Sequence, residues 1–98
     1  MYKPVLLPLA KQDIKDAALW YNSQQRGLGK RFIHVARRKV NYICRNPKSI
    51  SIRYGNTRCA LLEKFPFMLH FTLDDIRKEV IITAVFHTSQ NPDSWKNR

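Results

Sequence analysis

The sequence predicts an α+β fold of order β-α-α-β-β-β, with an N-terminal strand and a helical hairpin packed on one face of a mainly antiparallel sheet. Three observations predict it. Apolar residues recur at helical spacing through residues 10–45, interrupted once by a polar stretch that ends in Gly27. Residues 67–73 alternate strictly, with Phe67, Leu69, Phe71 and Leu73 on one side and Met68, His70 and Thr72 on the other. The run 79–87 is apolar on both sides, as an interior strand is. Helices precede strands, so the helices cover one face of a meander.

Residues 3–8 read as a short strand, with Pro4 and Pro8 suited to an edge or a strand end. Residues 10–25 read as a helix. Ala10, Ile14, Ala17 or Ala18, and Tyr21 face inward, while Lys11, Asp13, Lys15 and Asp16 face water. Gly27 suits the positive φ that closes a helix. A second helix spans about 28–45, with an inner stripe of Leu28, Phe32, Val35, Ala36, Val40 and Ile43. Its remaining surface is basic, carrying Lys30, Arg31, Arg37, Arg38, Lys39 and Arg45. Asn46-Pro47 ends it, because proline cannot continue the hydrogen-bond ladder. A loop around Gly55-Asn56 follows, with a short strand at 50–54. Further strands are expected at about 57–64, 67–73 and 79–87, the last two joined by a turn from Asp74 to Lys78. Residues 88–98 form a polar tail anchored by Trp95.

The 98 residues suit one domain, 1–98, since two cores would not fit. With 44% hydrophobic residues the chain is no disordered polycation. Lys and Arg number 18 against 7 Asp and Glu, a net +11. Such a balance predicts an anionic partner. No apolar stretch approaches the ~18 residues a membrane span needs. The apolar start (Val5, Leu6, Leu7, Leu9) is broken by prolines and lacks a cleavage site, so no signal peptide is expected. The chain is read as cytoplasmic, with no membrane partner. Cys44 and Cys59 read as reduced apolar groups. The three histidines and two cysteines have no metal-ligand spacing, so neither metal nor organic cofactor is expected, nor a small-molecule ligand. His34 reads as solvated. His70 stands mid-strand, and His87 ends its strand, where it either hydrogen-bonds the tail or takes part in chemistry.

Several landmarks occur in a fixed order: Trp20-Tyr21 at a helix end, Gly27-Leu28-Gly29 with Phe32 behind it, Asn46-Pro47, Phe65-Pro66-Phe67, and a tail of His87, Pro92, Trp95 and Arg98. In this order the chain resembles the RelE/ParE superfamily of toxins from type II toxin–antitoxin pairs, over residues 3–98. Trp20, Tyr21 and Phe32 are expected to fill the helix–sheet core, and Gly29 to let the helices approach closely.

The resemblance implies a cognate antitoxin, whose acidic segment folds on the toxin, and one of two targets. The ParE-like branch poisons DNA gyrase and is not a nuclease. The RelE-like branch cuts mRNA on the ribosome, and needs a proton acceptor, a proton donor and a cation over the phosphate. By position its catalytic set here is His87, Arg58 and Arg53. Lys64 and Tyr54 are further contacts for the RNA, Tyr54 by stacking on a base. Arg31, Arg37, Arg38 and Trp95 are candidates for nucleic-acid or partner contacts. Relatives with this tail commonly read His-x-x-Arg-x-Pro, whereas Gln90 stands here in place of the arginine. That departure ranks the gyrase poison ahead of the endonuclease. A degenerate member that only pairs with its antitoxin is the third reading. The discriminating question is whether Arg53, Arg58 and His87 converge on one open patch.

Overall fold

A computed structural model describes residues 1–97, apart from the side chains of residues 94, 96 and 97. Arg98, one of the tail landmarks, lies outside the described residues. The elements are β1 (Lys3–Leu6), α1 (Pro8–Gln24), α2 (Leu28–Arg45), β2 (Ile52–Tyr54), β3 (Thr57–Leu61), β4 (Phe67–Asp74) and β5 (Glu79–His87), then a 3-10 helix (Pro92–Asn97). The short strand expected near 50–54 forms as β2. The sheet order is β1-β5-β4-β3-β2. All neighbours are antiparallel except β1, which lies parallel to β5. Pro8 opens α1 instead of ending β1: its fixed φ suits the first helical position, where an N–H would be unpaired anyway.

The helices cover one face of the sheet. Between them and the sheet lie Phe32, Ala36, Val40 and Ile43 of α2, Leu69 and Phe71 of β4, and Val80, Ile82 and Val85 of β5. An aromatic group closes one end: Tyr21 stacks on Phe32 at 5.5 Å between ring centroids, and Phe65 meets both rings edge-on. Such edge-on pairs add stabilisation beyond the area they bury. Gly29 sits where α2 crosses α1. A Cβ there would stand 2.3 Å from the carbonyl oxygen of Ala18, so only glycine allows this approach. Gly27 has φ +86°, the left-handed conformation the helix junction needs.

Two side chains depart from the sequence reading. Trp20 is 58% exposed and stays outside the core, because at the end of α1 its ring leans on the outer edge of Tyr21. Asp13 is turned toward the sheet. The β4–β5 register shifts between His70 and Phe71, and Asp13 Oδ2 accepts a hydrogen bond from the backbone N–H of Val85, 2.9 Å away. Helical periodicity put Asp13 in water; an irregular ladder draws it in, since a backbone donor inside a protein needs a partner.

The opposite face carries a second, smaller cluster of Met68, Ala84, Phe86 and Trp95, with Tyr54 and Cys59 against it. The tail lies over this face.

Candidate functional site

Strand alternation and register fix where the candidate residues point. Met68 pairs with Phe86, and both belong to the cluster under the tail. His87 and Phe67, the next pair along, therefore face the helices. The His87 ring meets Phe67 edge-on at 5.1 Å, in a shallow recess with Ala17, Trp20 and Tyr21. Its Nδ1 accepts from the Ser89 N–H at 3.0 Å and lies 2.7 Å from Ser89 Oγ. One of its two nitrogens is thus engaged in holding the start of the tail.

Arg58 opens β3 opposite Phe71, on the helix side. It donates through Nη1 to the carbonyl of Ile50 at 2.6 Å and so ties down the loop before β2. From His87 it is two strands across and four residues along, about 16 Å by strand geometry. Arg53 is on β2 and reaches over the other face. Its guanidinium lies 5.5 Å from the centre of the Trp95 ring, and its Nη1 donates to Met68 Sδ at 3.7 Å. Arg53, Arg58 and His87 are therefore not brought together. One lies over the open face, and the other two lie far apart on the covered face. Groups acting on one phosphate must each come within about 3 Å of it.

What the structure does assemble on the open face is a set centred on His70, which is fully buried. Its Nδ1 lies 2.9 Å from Tyr54 Oη and 3.4 Å from Cys59 Sγ. Trp95 packs edge-on against its ring at 4.7 Å, and Phe86 does so at 5.1 Å. Trp95 is itself 7% exposed and covers the set as the sole large side chain described in the 3-10 helix. Its indole N–H has no hydrogen-bond partner among the described residues. Burial raises the Tyr54 hydroxyl and the Cys59 thiol above their ordinary pKa values. Both therefore stay protonated at neutral pH, and neither is an activated nucleophile. Cys44 is likewise buried, and desolvation raises its thiol too.

The signal for His70 was present in the sequence as a histidine alternating with core residues. That the tail would fold back on it was not readable, because contact between residues 54, 70 and 95 is long-range.

The remaining candidates lie on the surface. Arg31, Arg37 and Arg38 are exposed on α2, Arg31 and Arg38 one above the other at seven-residue spacing. Lys39 places its ammonium 5.5 Å from the Tyr42 ring. The helix contains no acidic residue, so its outer surface is strongly positive. Lys64 is exposed in the β3–β4 connection, with φ +67°. No group of three or more His, Cys, Asp or Glu side chains that could hold a metal occurs among the described residues. Nor is any described helix long and apolar enough to cross a membrane.

No protein-family model matches the sequence, and no curated protein matches it. Solved structures do. A chain of the chromosomal ParDE toxin–antitoxin system from P. aeruginosa superposes with a TM-score of 0.78 at 16% identity, over 91% of this chain and 98% of that one. A chain of the intact E. coli RelBE toxin–antitoxin complex gives 0.68 at 14% identity, over 93% and 100%. The isolated E. coli RelE toxin gives 0.68 at 13% identity, over 99% and 95%. The chain has the RelE/ParE fold. The order of landmarks follows from this fold: Gly29 sits at the helix crossing, Phe65-Pro66-Phe67 leads into β4, and Trp95 roofs the open face of the RelE/ParE sheet.

Proposed function

We propose that this chain is the toxin of a type II toxin–antitoxin pair and that it poisons DNA gyrase rather than cutting mRNA. The likeness in fold to ParDE and RelBE chains supports the toxin reading. One observation carries the choice of target: the separation of Arg53, Arg58 and His87. Without a cation and an acid–base pair around one phosphate, a nuclease of this type loses its main source of rate; removing a single charge-stabilising group from such a site costs about 100- to 1,000-fold. Gln90 adds no cation.

A second reading, the ribosome-dependent endonuclease, is favoured by the contact of Tyr54 with His70 below Arg53. That pair could exchange a proton, but only with Trp95 lifted away. The experiment is addition of the purified chain to translating ribosomes. The proposal expects little codon-dependent mRNA cleavage, together with growth arrest on induction in a bacterium lacking the antitoxin. Efficient cleavage lost in His70→Ala would establish the second reading. Normal growth with soluble, folded chain would point instead to a member that only binds its antitoxin.

A further inference from the structure

Between α2 and β3 runs a groove of about 560 Å³ that takes no part in the sites above. Its helix wall carries Arg38, Lys39 and Tyr42; its strand wall carries Leu61, and Ile50 and Glu63 complete it. The strand wall is a sheet edge. β2 pairs with β3 only through Thr57 and Arg58, so from Cys59 to Leu61 no further strand stands beside β3. Natural sheets blunt such edges with charge or cover them. This one instead presents Leu61 at 59% exposure, with Tyr42 half-exposed across the groove. Two cations face one acid inside the groove, and Arg31 and Arg45 extend the positive surface along the same helix.

We infer that this groove seats an extended, acidic segment of a partner protein, added as a strand along the free edge of β3. Each part of the groove has a role in that contact. The strand edge supplies backbone hydrogen bonds, Leu61 and Tyr42 take every second side chain, and Arg38 and Lys39 attract acidic residues between them. A nucleic acid would use the cations but leave the exposed Leu61 and the strand edge unmatched. A second copy of this chain would bring its own Arg38 and Lys39 against these cations. The inference rests on the toxin reading for the partner's identity, the antitoxin, and not for the existence of the seat.

The test is selection of random dodecapeptides displayed on phage against the whole folded chain. Enriched sequences should alternate apolar and acidic residues. A synthetic copy should bind the wild-type chain and lose at least about tenfold in affinity to Leu61→Glu and to Arg38→Glu, both exposed positions whose change leaves the fold intact. Lys15→Glu, on the other helix, should bind as the wild type does. N-methylation of the peptide at alternate residues should weaken binding in one parity and not in the other, which a docked helix would not show. No enrichment, basic or helix-patterned winners, equal binding to Leu61→Glu, or an edge-to-edge dimer of the chain abolished by Leu61→Glu would overturn the inference. The toxin reading stands or falls separately, on growth arrest. A non-toxic chain that still binds alternating acidic peptides in this groove refutes that reading and keeps this one.

Discussion

The two faces of the sheet are built differently. On the helix side Phe32, Ile43, Leu69, Phe71, Val80 and Ile82 are sealed from water and interlock around an aromatic group. On the other side a fully buried histidine is covered by one tryptophan from a 3-10 helix, and the indole N–H of that tryptophan is unpaired among the described residues. An unpaired buried donor costs about 1–3 kcal/mol, so the cover is held less firmly than the core it faces. The difference teaches that one face specifies the fold, while the other is closed by a replaceable part. It also bears on function, because the titratable groups in contact with one another, Tyr54, Cys59 and His70, lie on the loosely closed face.

The comparison can be broken most readily on the helix side. Phe32→Ala removes a ring in contact with Tyr21, Phe65 and Phe67. It should cost about 3–5 kcal/mol, read as a lower denaturant midpoint at unchanged slope. Gly29→Ala comes next. The added methyl meets the Ala18 backbone, so the helices must separate, and the expected loss is about 1–3 kcal/mol although alanine favours helices. Gly27→Ala is the contrast: open space surrounds it, and only the positive φ penalises it, by about 1–2 kcal/mol. Equal stability of wild type and Gly29→Ala would refute the close helix crossing.

Trp95→Ala tests the looser face. It should cost less than the ~3–5 kcal/mol of an aromatic-to-alanine change in a full core, because the tail can detach without unfolding the rest. Hydrogen exchange at 54–59 and 84–86 should quicken while α2 stays protected. A global loss as large as that of Phe32→Ala would make the two faces equivalent.

The smallest effect is at the sheet's far end. Tyr2 donates its hydroxyl to Asp75 at 2.6 Å, and this bond holds the Asp75 carboxyl below its ordinary pKa, with Lys48 assisting at 3.6 Å. A depressed folded-state pKa means that the contribution is complete above the unfolded carboxylate value, about 3.9, and is lost as pH falls through the lower folded value. Tyr2→Phe should therefore raise the acid-unfolding midpoint slightly and leave stability at pH 7 nearly unchanged. A midpoint identical to that of the wild type would show the bond to be idle.

Much of this was legible in the sequence. The 2- and 3.6-residue periodicities placed β4, β5 and α2, because those elements bury one consistent stripe or face. Gly29 and Gly27 were legible because each meets a steric demand that only glycine meets cheaply. The errors came where tertiary contact overrides period. Asp13 has a solvent-side pattern, yet a register shift in the ladder captures it. Trp20 has core chemistry, yet the helix ends before the sheet can cover it. The candidate site was the least legible part. Arg53, Arg58 and His87 look alike as basic residues near strands, and only the parity of each strand sorts them onto different faces.

The most direct test of the central claim is a supercoiling reaction with purified gyrase and the chain. The separation of Arg53, Arg58 and His87 predicts accumulation of cleaved DNA, unchanged in His87→Gln and in Arg58→Lys. Gyrase left fully active, with mRNA cut in the ribosomal A site by the same preparation, would contradict the account.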